Sequence, residues 1–159
     1  MGSGVSGGGP ADKHFTATGF LVRDGKVLLV HHRKLGMWLP FGGHLEPGED
    51  PAQALLREAQ EETGFRVEIV AEAQQFKADG VCTLPRPETI LLERIEPNHF
   101  HIDLIYFVRS LGGTERLAAD EHHELRWFSR DELDDPTLTD DVRALGRRAI
   151  EQLAGLDDG

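Results

Sequence analysis

Cysteine and long apolar runs are almost absent from this chain. Its one cysteine, Cys82, can form neither an internal disulfide nor a zinc site built from thiolates, and so fits a reducing compartment. No apolar stretch approaches the roughly 20 residues that a membrane-spanning helix needs. The first ten residues are neither basic nor apolar, so we expect no secretory signal there. These absences favour a cytoplasmic protein that does not bind membranes.

Positive charge is scarce as well. The chain has 17 Lys and Arg against 28 Asp and Glu, which gives a net charge of −11. Such a surface is unsuited to nucleic acid, because that binding relies on cationic side chains that release phosphate counterions. A chain of 159 residues has room for one domain with a core of its own. We predict a disordered tail over residues 1–12, a single domain over 13–156, and no nucleic-acid partner.

The hydrophobic pattern predicts a chain of several strands and two helices. Asp24-Gly25 predicts a hairpin turn between the first two strands. Asp50 can cap a helix that has Pro51 at its first position and ends before Gly64. Interleaved in this way, the elements indicate one α/β domain whose sheet is covered on both faces. The predicted strands are 14–22, 26–31, 66–71, 89–95, 101–108 and a short one at Trp127, and the predicted helices are 51–63 and about 139–154.

Negative charge concentrates between residues 43 and 65. Glu58, Glu61 and Glu62 are three and four positions apart, so they project into one arc of the predicted helix. Carboxylates this close repel one another, and a divalent cation such as Mg²⁺ is a simple way to keep them ionised. Arg57 can pair with Glu61 or reach back to Glu49. A solvated helix face is the alternative interpretation of such an acidic run.

This segment carries a family resemblance. Residues 43–65, GHLEPGEDPAQALLREAQEETGF, resemble the Nudix box, G-x5-E-x7-R-E-U-x-E-E-x-G-U, in which U is a bulky or aliphatic residue. At background frequencies, the positions of fixed identity would match by chance at one start about once in 10⁸ trials. Pro40 and the strand-loop-helix setting extend the resemblance over about residues 14–154. The pattern falls on Gly43, Glu49, Arg57, Glu58, Ala59, Glu61, Glu62, Gly64 and Phe65.

The resemblance implies both a fold and an activity. The fold is a Nudix-type α/β/α sandwich with a mixed central sheet. The activity is hydrolysis of a nucleoside diphosphate linked to another group X, with Mg²⁺ or Mn²⁺ required. A small nucleotide is the expected partner, and formation of a homodimer is left open. Carried over residue by residue, the metal ligands are Glu58, Glu61, Glu62 and the Gly43 carbonyl, with Arg57 and Glu49 as their structural and electrostatic support.

The resemblance does not fix the general base. A base must lie within about 3 Å of the attacking water, and family members take it from the box or from a loop before a late Trp-containing strand. Here that loop holds Glu121, six residues before Trp127. We rank Glu121 first and Glu61 second, with Glu124 and Asp120 behind. A solvated acidic loop is the alternative for this segment.

The substrate and two other functions also stay open. Some subfamilies carry a Pro or a Tyr at marker positions after the box, where this chain has Gly80, Val81 and Cys82. X is therefore not identified, and an NDP-sugar such as ADP-ribose or a (deoxy)nucleoside triphosphate is expected. A non-catalytic nucleotide sensor is disfavoured because all the box carboxylates are present. An isomerase of prenyl diphosphates would need a catalytic cysteine in a strand, for which Cys82 gives weak support.

Two histidines form a further pattern. His99, His101 and Asp103 alternate along one face of a predicted strand. Imidazoles and a carboxylate on one face indicate either a second metal site or a substrate contact. A fourth ligand at suitable spacing is not found in the sequence.

Overall fold

The computed structural model describes residues 10–72, 76, 78–116 and 122–156. Within these residues, eight strands form one mixed sheet, with one long helix on each face. None of the described helices is long and apolar enough to cross a membrane. The strands are β1 (Asp12–Arg23), β2 (Lys26–His32), β3 (Met37–Leu39), β4 (Phe41–His44), β5 (Phe65–Ile69), β6 (Thr89–Glu96), β7 (His99–Gly113) and β8 (His122–Ser129), and the helices are α1 (Pro51–Thr63), α2 (Asp140–Gln152) and a 3₁₀ turn at Glu132–Asp134.

Two parallel strands, β1 and β7, form the centre of the sheet. All other pairings are antiparallel among the described strands. The outer edge of β1 is shared, because β4 pairs with residues 16–19 and β2 with residues 21–23. This division of one edge places β4, and the loop that leads from it into α1, beside the first half of β1.

The alternation of side chains along β1 builds a separate core on each face of the sheet. Phe20 and Val22 pack in the cluster that includes α2, whereas Ala17 and Leu21 pack in the cluster that includes α1. Helix α1 buries Leu55 completely on its sheet side. Its polar face, which carries the acidic residues, is thereby fixed in direction relative to β4.

Helix α1 begins and ends as predicted. Asp50 accepts the backbone N–H of Gln53, and the Gln53 side chain accepts the N–H of Asp50, both at 2.9 Å. Pro51 is the first helical residue, and the helix ends at Gly64 with a φ of 83°. The position of every acidic side chain on this helix therefore follows from local sequence.

Two short strands, β3 and β4, lie between residues 31 and 51, where the sequence pattern predicts none. β3 has three residues and β4 has four, so neither is long enough to show an alternating pattern. Gly42 would ordinarily disfavour a strand, but a Cβ there would lie 2.4 Å from the carbonyl oxygen of Ala17. Glycine is required at this position because the β1 and β4 backbones approach closely.

Candidate active site

Helix α1 and the turn before it carry the box carboxylates beside strand β4, and these are Glu49, Glu58, Glu61 and Glu62. Glu62 is buried and accepts the backbone N–H of Gly42 at 2.8 Å. The Glu58 side chain is 13% exposed, whereas that of Glu61 is 58% exposed. The set thus runs from a buried carboxylate against the sheet to one that faces solvent.

Arg57 binds three of these four carboxylates. Its Nε and Nη2 donate to the two oxygens of Glu49 at 2.8 and 3.0 Å, which is a bidentate pair. Its Nη1 donates to Glu58 at 2.9 Å and to Glu61 at 3.1 Å. This guanidinium, together with the N–H of Glu46, holds the pKa of Glu49 below its usual value. Arg57 therefore fixes the directions of the carboxylates and offsets part of their charge.

One guanidinium does not balance the whole set. Burial and the neighbouring charge of Glu62 raise the pKa of Glu58 to about 7, although Arg57 acts in the opposite direction. Positive charge beside Glu58 and Glu62 would favour the ionised form of Glu58. A divalent cation with a preference for oxygen ligands fits these residues, since it would supply that charge.

The backbone at Gly43 lies against the same carboxylates. A Cβ on Gly43 would be 2.5 Å from Oε1 of Glu58, which is closer than real contacts allow. The missing side chain at Gly43 lets the β4 backbone lie against the Glu58 carboxylate, which a larger residue would displace. The Gly42 amide and the Gly43 backbone thus lie beside the carboxylates, and the role of the Gly43 carbonyl as a metal ligand stays a prediction.

Of the four candidates for the general base, Glu61 lies in the box and the other three lie outside it. Glu121 and Asp120 fall outside the residues that the structure describes. Glu124 is exposed on β8, opposite His31 of β2. The assignment of the base therefore stays a prediction.

The second metal site does not form from the residues that suggested it. Asp103 is buried and accepts hydrogen bonds from Thr16 at 2.9 Å and from Thr18 at 2.7 Å. Its carboxylate is thus held by hydrogen bonds within the sheet. It is not placed to bind a metal together with His99 and His101, as their alternation suggested. Residues two apart on a strand share a face, but burial and the neighbouring strands decide what each side chain contacts.

The structure adds a pair of acidic side chains that the sequence analysis missed. Glu93 of β6 and Asp103 of β7 are hydrogen-bonded, and burial together with the charge of Asp103 raises the pKa of Glu93 to about 8. Burial also raises the pKa of Asp103. Because two threonines donate to Asp103, we assign the shared proton to Glu93. Only an aligned β6–β7 hairpin could have revealed this pair from sequence.

Comparison with known proteins now adds a family. Residues 13–152, which include all the elements above except the first residue of β1, match the family model described as NUDIX domain. The chain belongs to the NUDIX family. The predicted resemblance and the predicted α/β/α fold with a mixed sheet are therefore confirmed.

Individual NUDIX relatives agree with this assignment. A NUDIX family hydrolase from Clostridium perfringens superposes with a TM-score of 0.81 at 32% identity, covering 88% of this chain and 97% of that chain. CTP pyrophosphohydrolase of Escherichia coli K12 is 32% identical over 117 residues, which are 69% of this chain and 71% of that protein. The asymmetrical bis(5'-nucleosyl)-tetraphosphatase of Rattus norvegicus is 28% identical over 104 residues, or 65% of this chain. The chain spans 59% of the length of that rat protein.

Proposed function

We propose that this NUDIX domain hydrolyses the pyrophosphate bond of a small nucleotide, in which a nucleoside diphosphate is linked to a group X. The observation that carries the proposal is the complete set of box carboxylates, three of which are bound by Arg57. A domain that only sensed nucleotides would have no need to keep four carboxylates beside one another. Mg²⁺ is the proposed cofactor, with Mn²⁺ as a substitute.

The chain's own residues have distinct parts in this reaction. Glu58, Glu61, Glu62 and the Gly43 carbonyl would hold the cation, which when bound supplies Lewis-acid stabilisation of charge on the phosphate oxygens. Arg57 and Glu49 position these ligands through the bidentate pair. Glu62 also ties α1 to β4 through the Gly42 amide, so the carboxylates keep their spacing when substrate binds.

A carboxylate must also take the proton of the attacking water. We propose Glu121 for this role, with Glu61 as the second candidate. A carboxylate from a separate loop is suited to the task because it can accept a proton while the box residues remain engaged with the cation.

A nucleoside triphosphate is the favoured form of the substrate, and an NDP-sugar is the second. The Escherichia coli relative, named for CTP, matches over more than two thirds of both chains. The rat relative, named for a dinucleoside tetraphosphate, matches less of both chains. An isomerase is disfavoured because Cys82 is exposed and lies outside the strands. A cytoplasmic location stays a prediction, and formation of a homodimer stays open.

The test is a substrate panel analysed by chromatography of the nucleotide products. It contains nucleoside triphosphates, NDP-sugars and dinucleoside polyphosphates, each with Mg²⁺ and with a chelator. We expect Mg²⁺-dependent release of a nucleoside monophosphate from at least one class. If no class is cleaved while a nucleotide still binds, the proposal is wrong and the chain is a nucleotide sensor.

A further inference from the structure

Four histidines from three strands face one another at the end of β4. They are His14 of β1, His44 of β4, and His99 and His101 of β7. Their ring centroids are 5.7 Å apart for His14–His44 and 4.8 Å apart for His44–His101. The other two sides measure 5.4 Å for His99–His101 and 5.0 Å for His14–His99. We call this closed arrangement the histidine square.

Strand pairing creates the histidine square. In the parallel register of β1 and β7, Asp12 is opposite His99 and His14 is opposite His101. On the other edge of β1, His44 is opposite Thr16. Neighbouring strands lie about 4.8 Å apart, so these pairings bring the imidazoles to contact distance.

The carboxylate of Asp12 lies beside two histidines of the square, His14 and His99. Oδ2 of Asp12 lies 2.9 Å from Nε2 of His14 and 3.4 Å from Nδ1 of His99. The three ligand atoms all lie within 4.8 Å of one another. Tetrahedral zinc, with bonds of about 2.0–2.2 Å, needs ligand atoms about 3.4 Å apart. Small side-chain rotations would bring the three atoms to that spacing.

The ligand atoms of Asp12, His14 and His99 differ in kind from the oxygen atoms of the box. Imidazole nitrogens favour Zn²⁺ and similar borderline ions, whereas an all-oxygen set favours Mg²⁺ and Mn²⁺. Asp12 and His14 are exposed and His99 is half-buried, so an ion could enter from solvent. His44 and His101 pack edge to face against the other rings and limit their orientations.

We propose that Asp12, His14 and His99 bind a transition-metal ion of the Zn²⁺ type, with the fourth position left to solvent. This site is separate from the oxygen ligands of the box. It does not depend on the proposed hydrolysis, since its ligands are the strand residues alone.

The test is calorimetric titration of the intact chain with Zn²⁺ in the presence of excess Mg²⁺, which occupies the oxygen ligands of the box. We expect the wild-type chain to bind one Zn²⁺ more than the His14→Gln/His99→Gln variant. We expect Asp12→Asn, which keeps the side-chain volume, to weaken that Zn²⁺ by at least about 10-fold. Co²⁺ provides a second readout, because a nearly tetrahedral site gives strong visible absorption that the double variant should lack.

The matched control is His32→Gln, which removes a histidine from the far end of β2. It should bind Zn²⁺ as the wild type does. Equal Zn²⁺ stoichiometry and affinity in the wild type and the His14→Gln/His99→Gln variant would overturn the proposal. An equal loss in the His32→Gln control would also overturn it, because binding would then not depend on the square. Circular dichroism of each variant verifies that the fold is retained.

Discussion

The box carboxylates and the histidine square meet at β4 but are assembled in different ways. Glu58 lies against the backbone of Gly43, and the next residue, His44, is a corner of the square. The carboxylates come from one helix and the turn before it, and an arginine of the same helix binds three of the four. The histidines come from three strands and depend on register. The box is therefore formed by residues close together in the sequence, whereas the histidine square depends on strand pairing within the sheet.

The largest effect is expected at the exposed end of the box. Glu61→Gln should lower kcat by at least about 10²-fold, because it removes a proposed metal ligand and the second candidate for the base. Its Tm should stay close to that of the wild type, since this side chain is 58% exposed. Steady-state kinetics with Mg²⁺ and thermal denaturation measure the two effects. The control is Glu68→Gln, which alters an exposed glutamate of β5 that pairs with Arg109. Near-normal turnover of Glu61→Gln would remove Glu61 from the site.

The next prediction distinguishes a general base in the loop before β8 from one in the box. Glu121→Gln should lower kcat by about 10²-fold and flatten the acid limb of the pH–rate profile, because the proposed base is lost. Glu124→Gln, which changes an exposed residue of β8, should have a smaller effect. The measurement is kcat across the pH range for both variants. An unchanged profile for Glu121→Gln would place the base within the box.

A smaller effect is expected when Arg57, which binds three of the box carboxylates, is replaced. Arg57→Lys keeps the positive charge but cannot form the bidentate pair with Glu49 while also reaching Glu58 and Glu61. We expect kcat to fall by about 10-fold and Tm to decrease, because the carboxylates lose their common anchor. Arg109→Lys on β7 is the matched control, because Arg109 pairs with an exposed glutamate of β5, Glu68. If Arg57→Lys behaved like that control, local assembly of the box by Arg57 would be wrong.

The smallest effect concerns the pH dependence of stability. Burial raises the pKa of Glu93 from 4.5 to about 8, so the folded chain binds this proton more tightly than the unfolded chain. Its contribution to the free energy of unfolding is complete below pH 4.5 and is lost as pH rises through about 8. Glu93→Gln should therefore show a smaller decrease in stability over this window than the wild type. Urea denaturation of both proteins without metal measures this, and parallel curves would contradict the shared proton.

The parts of the fold that follow local rules could be predicted from the sequence. Helix α1 begins after Asp50 and ends at Gly64 because the capping interactions of these residues act within a few positions. The hairpin turn at Asp24-Gly25 joins β1 and β2 for the same reason. The box carboxylates follow from helix periodicity together with the family pattern.

The parts that depend on pairing between distant segments could not be predicted in this way. β7 extends from His99 to Gly113, beyond the predicted 101–108, because its neighbours β1, β5 and β6 supply partners along its whole length. The carboxyl pair of Glu93 and Asp103 depends on the β6–β7 register. The histidine square likewise needs the parallel pairing of β1 with β7, which no short-range pattern indicates.

The most direct test of the central claim is calorimetric titration of Mn²⁺ and Mg²⁺ into the His14→Gln/His99→Gln variant, with and without nucleotide. In this variant the box carboxylates are the metal ligands left to test. We predict uptake of at least one divalent ion, and we predict that Glu58→Gln added to this variant weakens it. Absence of uptake, even with nucleotide present, would contradict the claim that these carboxylates hold the cation for hydrolysis.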